Sequence, residues 1–92
     1  MRIAEVIGTV TLSRCHPSIE GYRWIVGVPF SLKALKKGTP DGEDFVILDE
    51  LGAGAGAKIG VSEGVEAMMP FQPERKPIDA YDACILDAVN VK

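Results

Sequence analysis

Hydrophobic and polar residues alternate along the first dozen positions in the way that a β-strand requires. In "RIAEVIGTVTLS" (2–13), every second residue falls on one face, namely Ala4, Val6, Gly8, Val10 and Leu12. The other face carries polar residues beside two isoleucines: Glu5, Thr9 and Thr11 with Ile3 and Ile7. This period of two predicts a strand with one buried face. A glycine inside such a strand predicts a bulge or a close backbone approach at Gly8.

The next apolar runs are short and are separated by turn signals. "YRWIVGV" (22–28) alternates again and places four residues on one face, Tyr22, Trp24, Val26 and Val28. Pro29 ends this second strand because it has no N–H to donate. "EDFVIL" (43–48) and "AKIGV" (57–61) predict a third and a fourth strand. Short strands bounded by turns are typical of a small all-β domain.

Three further segments predict turns, short helices or a fifth strand. "SLKALKKGTPDG" (31–42) predicts a helical turn or loop that closes at a favourable turn sequence. "SEGVEAMMP" (62–70) predicts one helical turn, with Ser62 and Glu66 as a loose cap and Pro70 at its end. The closing segment "IDAYDACILDAVNV" (78–91) fits either a helical stripe or a strand, and its periodicity favours a strand only slightly.

The length of 92 residues predicts one domain, 1–92, and 47% of these residues are hydrophobic. A domain of this size buries only about 60% of the surface that its unfolded chain exposes, so association with other copies is a common source of stability. Two cysteines without close spacing, Cys15 and Cys84, predict free thiols. Glu5 interrupts any signal-peptide core, and no apolar window is long enough to cross a membrane. The sequence therefore predicts a soluble, cytoplasmic protein with no membrane partner.

The charge balance argues against a nucleic-acid partner. The net charge is −3 and the pI is about 5.0, whereas nucleic-acid affinity comes mainly from Lys and Arg that neutralise phosphates. The one basic cluster, Lys33, Lys36 and Lys37, is typical of a solvated surface.

Five glycines lie in the window "DELGAGAGAKIGVSEG" (49–64). Gly52, Gly54 and Ala57 satisfy the relaxed dinucleotide fingerprint, which needs a helix directly after it to hold the pyrophosphate. The continuation "KIGVSEG" is a poor helix, since its residues are β-branched or glycine. Nucleotide binding is therefore disfavoured, and glycines that allow close backbone approach are the preferred interpretation.

No set of residues predicts catalysis, a metal or a cofactor. Cys15 and His16 are adjacent, but a structural zinc site needs four ligands and the chain has no second histidine. Asp49 and Glu50 are neighbours in a strand, so they point to opposite faces and cannot easily share a proton. We expect no catalytic residue, no metal ligand and no cofactor.

Four stretches in order resemble one known family. "DELGAGAG" followed by "KIGVSEGVEA" is similar to the core motif of the bacterial microcompartment vertex proteins, the carboxysome and ethanolamine-utilisation shell pentamers. "AEVIGTVTLS" and "IEGYRWIVGV" resemble the first two strands of that family. "KPIDAYDACILDAVNV" resembles its closing segment. The match covers nearly the whole chain.

The resemblance implies a small five-stranded OB-like β-barrel with a short helical turn, in which the closing segment is a strand that Asp79 starts. It also implies a non-enzymatic homopentamer that closes the five-fold vertices of a shell built with hexameric shell proteins. By position, Asp49 would anchor a loop near the five-fold axis or the seam between subunits. The other residues implied at this axial loop or interface are Leu51, Gly52, Ala53, Gly54, Ala55, Gly56 and Ala57.

Two departures from the family and two rival functions remain. Many members have an acidic residue where this chain has Ala57, and an arginine where it has Met68, so the resemblance implies the fold but not the pore lining or the number of subunits in the ring. The first rival is an OB-type nucleic-acid binder that uses Trp24 and Phe45 as stacking platforms. The second is a small-ligand or catalytic domain built on the glycine window.

Overall fold

The computed structural model describes residues 1–91, in which five strands close into a barrel in the order β1-β2-β3-β5-β4. The strands are β1 (Arg2–Val10), β2 (Arg23–Pro29), β3 (Phe45–Asp49), β4 (Lys58–Glu63) and β5 (Ala80–Leu86). Two short helices, α1 (Leu32–Lys37) and α2 (Val65–Met68), and two 3-10 turns, Pro17–Ile19 and Met69–Phe71, lie in the connections. The structure confirms the small all-β domain that the strand pattern predicts and the five-stranded barrel that the resemblance implies. The closing segment forms the strand β5, so its helical alternative is wrong.

The pairing of β1 confirms the bulge and corrects the end of the strand. The β1–β2 register shifts between Val6 and Gly8, where the glycine predicts an irregularity. The strand ends at Val10, two residues before Leu12, which is exposed. Pro29 is the last residue of β2, as its missing N–H predicts.

The interior of the barrel is filled by small and β-branched side chains. Its core cluster consists of Ala4, Val6, Ile25, Ile47, Ala53, Ile59, Val61 and Ala80. On β2 the residues that face this core are Ile25 and Gly27, so the opposite face, which carries Trp24, lies on the outside of the barrel.

The short helices have different starts. Ser31 caps α1, because its side-chain oxygen accepts a hydrogen bond from the Ala34 N–H at 3.1 Å. The predicted cap of the second helix is wrong: Ser62 belongs to β4, and the residue before α2 is Gly64. The backbone turns sharply between β4 and α2, which only a glycine tolerates easily (φ 63°).

An aromatic layer covers part of the outer surface. The Phe71 ring packs edge-on against Tyr22 at 5.7 Å and against Tyr81 at 5.6 Å. Leu48, which is opposite Tyr81 and Trp24 in the sheet, is fully buried although it faces away from the barrel interior. Of the helices within residues 1–91, none has the length and apolar character needed to cross a membrane.

Candidate functional site

The residues 50–57, here called the glycine loop, join β3 to β4 and are held by one carboxylate. Asp49 is the last residue of β3 and is buried. Its Oδ1 accepts from the Leu51 N–H at 3.0 Å, and its Oδ2 accepts from the Gly52 and Ala53 N–H groups at 3.1 and 3.0 Å. Three consecutive amides thus converge on one side chain, as in an Asx turn. Burial acts to raise the pKa of Asp49, but the Leu51 amide, the side chains of Asp82 and Arg23 and the Ala53 amide keep it below its usual value.

Arg23 links the loop to the neighbouring strand. Its Nη1 donates to Asp49 Oδ2 and, at 2.7 Å, to the carbonyl oxygen of Ala53. Arg23 and Asp49 are register partners on β2 and β3, so the strand pairing brings them together. Ala53 itself is buried in the core cluster. The middle of the loop is therefore fixed both by charge and by packing.

The far end of the loop is attached to β1. The Gly56 N–H donates to the Val6 carbonyl at 2.7 Å, and the Val6 N–H donates to the Ala57 carbonyl at 2.9 Å. Ala57 packs against the core. These bonds extend the β1–β4 ladder into the loop.

The glycines of the loop have two different explanations. Gly52 and Gly56 have φ values of 79° and 89°, which side chains other than glycine rarely adopt. Gly54 has no positive φ, and a Cβ added there would meet no heavy atom of the described residues within 4 Å. The fold of the single chain therefore accounts for glycine at positions 52 and 56 but not at position 54.

The outward surface of the loop is small and apolar. Leu51 is 49% exposed, and Gly54 and Ala55 are exposed. The glycine loop therefore exposes its backbone with few side chains to shield it. The surface suits close contact between backbones better than recognition of a polar small molecule.

The sequence analysis missed a second buried carboxyl, Asp82. Leu48 and Tyr81 are partners in the parallel pairing of β3 and β5, so the next residues, Asp49 and Asp82, are neighbours on the inward side of adjacent strands. Burial, and then the adjacent Asp49 carboxyl, raise the pKa of Asp82 to about 7. The sequence contains a pattern that could have predicted this burial: at a period of two, Asp82 falls on the same strand face as Ala80 and Cys84, which is an unusual position for a carboxylate.

The predicted separation of Asp49 and Glu50 agrees with the structure. Glu50 is exposed, and its Oε1 accepts from the Tyr81 hydroxyl at 2.8 Å. Burial and this contact raise the pKa of Tyr81 to about 12. Asp79 immediately precedes β5, and its carbonyl accepts from the Gly64 N–H at 2.9 Å.

Comparison with known proteins places the chain in one family. The family described as "Ethanolamine utilisation protein EutN/carboxysome" matches residues 1–87. The chain belongs to the EutN/CcmL family. A relative, the carboxysome shell vertex protein CcmL of Synechococcus elongatus, is 36% identical over 92 residues, which are 100% of this chain and 89% of that protein.

Solved structures of EutN/CcmL proteins share the barrel. The pentameric microcompartment shell protein GrpN from Rhodospirillum rubrum superposes with a TM-score of 0.84 at 32% identity, covering 100% of both chains. CcmL of Gloeobacter violaceus gives a TM-score of 0.81 at 30% identity, covering 99% of this chain and 90% of its own. The resemblance that the four sequence stretches indicate is thereby confirmed.

The features on which the rival functions depend have structural roles in this member of the EutN/CcmL family. Strand β4 stands where the dinucleotide fingerprint needs a helix. Phe45 packs against the core, and the Arg2 guanidinium lies 4.8 Å from its ring centroid. The Phe45 ring is thus covered by Arg2 within its own chain. Trp24 is half-buried on β2, opposite Val10 of β1 and Leu48 of β3. The Nδ1 atom of His16 accepts from the Ser18 N–H at 3.1 Å, which makes it the cap of a 3-10 turn.

Proposed function

We propose that this protein is a structural shell component that forms a homopentamer and closes the five-fold vertices of a bacterial microcompartment. The observation that carries the proposal is the match to pentameric GrpN over the full length of both chains. The relatives CcmL and GrpN are named as shell vertex proteins. A subunit that contacts its neighbours head to tail forms a closed ring when its rotation divides the circle.

In this proposal the glycine loop lies near the five-fold axis or at the seam between subunits. Asp49 fixes its entry, and the exposed residues Leu51, Gly54 and Ala55 face a neighbouring copy. Gly54 supports this placement, because neither its φ nor its own chain requires a glycine there. Close approach of another backbone is a common reason for a glycine without such a requirement.

The role of the protein in the shell is geometric and not catalytic. Flat layers of hexameric shell proteins need pentagonal units to close at corners, and the proposed pentamer supplies them. Its partners are other copies of itself and the hexameric shell proteins, without nucleic acid, cofactor or metal. The rigid barrel and the small-residue loop provide shape, so we expect no enzymatic turnover.

The first experiment is the native mass of the purified protein at micromolar concentration, by native mass spectrometry. A discrete species of about five times the chain mass of 9.9 kDa supports the proposal. A strict monomer at every concentration contradicts an autonomous ring, and a ring of another number contradicts a vertex role.

A second experiment tests the vertex role separately from the ring. Hexameric shell proteins are expressed with and without this chain, and the particles are imaged by electron microscopy. Closed polyhedral particles that require this chain support the proposal. Equal closure in its absence would contradict it, whatever the mass of the isolated protein.

A further inference from the structure

Three ionisable residues form a row across neighbouring strands at the end of the barrel where the glycine loop begins. Arg23 on β2 is the register partner of Asp49 on β3, and the β3–β5 pairing sets Asp82 beside Asp49. Adjacent strands lie about 4.8 Å apart, so the two carboxyl groups, here called the carboxyl pair, are within reach of each other. Asp49 and Asp82 are 2% and 0% exposed.

The two members of the carboxyl pair are surrounded differently. The Asp49 oxygens accept from three loop amides and from Arg23. Among residues 1–91, neither side-chain oxygen of Asp82 has a hydrogen-bond partner. A buried charged carboxylate without partners is very costly, whereas a protonated one carries an O–H that can donate to Asp49. Asp49 is therefore the ionised member, and Asp82 is the member that holds the proton.

The groups facing Asp82 from the other elements leave this assignment unchanged. Asp49 from β3 opposes ionisation of Asp82, while Arg23 from β2 favours it more weakly. On β5 itself the nearby backbone N–H of Cys84 also favours ionisation weakly, although it makes no hydrogen bond to the carboxyl oxygens. Strand β4 presents Val61 in register with Asp82. The charged residues of β1 and β4 are paired with one another, Arg2 with Glu63 and Lys58 with Glu5. Glu50 is engaged by Tyr81.

We propose that the carboxyl pair is a proton-dependent switch that sets how tightly the glycine loop is held. With the proton on Asp82, Asp49 keeps a single negative charge, which the loop amides and Arg23 satisfy. When Asp82 loses the proton to solvent, two buried carboxylates repel each other and compete for Arg23. Asp49 then holds the amides of Leu51, Gly52 and Ala53 less firmly, and the loop opens more often. Any effect on a ring of subunits rests on the proposed function, but the switch belongs to the single chain.

The test follows Asp82 and the loop separately by nuclear magnetic resonance between about pH 5.5 and about pH 8.5. The carboxyl carbon of Asp82 is expected to titrate with a midpoint near neutrality. Protection of the Leu51, Gly52 and Ala53 amides against hydrogen exchange, corrected for intrinsic rates, should fall at least about tenfold across the same midpoint. The titration of Asp82 needs no variant and so does not depend on any variant folding.

The variant Asp82→Asn mimics the protonated side chain and should keep the three amides protected at every pH. The control is Asp79→Asn, an exposed aspartate three positions earlier, which should leave the midpoint unchanged. Loop protection that does not change with pH in the natural protein would overturn the switch, as would the same pH dependence in Asp82→Asn. A Ca²⁺-dependent change of these amides at constant pH, without a pH midpoint, would replace it with a cation site. Native mass at pH 6 reports on the pentamer independently.

Discussion

Two surface loops of this protein are each fixed by one buried charged side chain, and the two charges are opposite. Asp49 holds the glycine loop through backbone amides. Lys76 holds the segment before β5: its Nζ donates to the Ser18 carbonyl at 2.6 Å and lies 5.3 and 5.1 Å from the Tyr22 and Phe71 ring centroids. Amides fix the path of a backbone, whereas aromatic rings hold a cation with less directional restraint. The conformation of the glycine loop is therefore fixed by more directional contacts than that of the segment held by Lys76.

Removal of the Asp49 carboxylate should have the largest effect. Asp49→Ala leaves three loop amides and Arg23 without their acceptor, so the free energy of unfolding should fall by about 5 kcal/mol. Urea denaturation at fixed protein concentration measures this loss. Asp79→Ala removes an exposed carboxylate at the same end of the barrel and should change stability by less than about 0.5 kcal/mol. Equal losses in both variants would contradict the central role of Asp49.

The carboxyl pair should make stability fall as pH rises towards neutrality. The folded-state pKa of Asp82 is about 7 against an ordinary value of 3.8, so between these values the folded protein binds more protons than the unfolded one. This contribution is fully present below 3.8 and is lost as pH rises through 7. Asp49, whose pKa is lowered, acts in the opposite sense and loses its contribution as pH falls below 3.8.

The variant Asp82→Asn separates the Asp82 contribution from other titrations. In the natural protein the free energy of unfolding should fall by an amount on the order of 3 kcal/mol between pH 4 and 8 because of Asp82, and the variant should lack this fall. The variant should also be more stable than the natural protein at pH 8. Thermal unfolding over this range measures both effects. An identical pH profile in the two proteins would show that Asp82 ionises freely in the folded state.

The lysine-held segment should be weakened less than the glycine loop. Lys76→Met keeps the apolar stem but loses the hydrogen bond to Ser18 and the contact with two rings, at a cost of about 1–3 kcal/mol. Calorimetric unfolding gives the loss, and the exposed Lys36→Met is the matched control. A loss as large as that of Asp49→Ala would remove the difference between the two loops.

The sequence predicted the positions of the strands better than it predicted the buried carboxyl groups. The period of two located the first two strands, short apolar runs located the next two, and Gly8 located the bulge, because all three depend on local sequence. The periodicity of the closing segment did not separate a strand from a helix, and its strand followed only from the resemblance. Asp82 was missed because its burial beside Asp49 comes from a parallel pairing between strands that are distant in sequence. The Ser62 cap was wrong because β4 extends to Glu63, so pairing with β5 overrides the local capping preference.

The smallest effects should distinguish the glycines that the fold requires from the one that the proposed ring requires. Gly52→Ala forces a side chain into a positive φ and should lower the free energy of unfolding by about 1 kcal/mol. Gly54→Ala needs no positive φ and meets no heavy atom within 4 Å among residues 1–91, so it should leave the barrel intact or stabilise it by about 0.4–1 kcal/mol. If the loop lies at the seam, the same methyl group should shift the native mass towards smaller species on dilution.

Gly8→Ala is the control for the backbone change at position 54, since Gly8 also has open space and no positive φ, and it lies on the barrel wall. Native mass across a dilution series compares the assembly of the two variants. A shift in Gly54→Ala alone places the glycine loop in the interface, because no heavy atom of residues 1–91 lies within 4 Å of that methyl group. Unchanged assembly in both variants would mean that Gly54 faces solvent in the ring. The contacts that hold the glycine loop would then stabilise the single barrel and have no role in the interface.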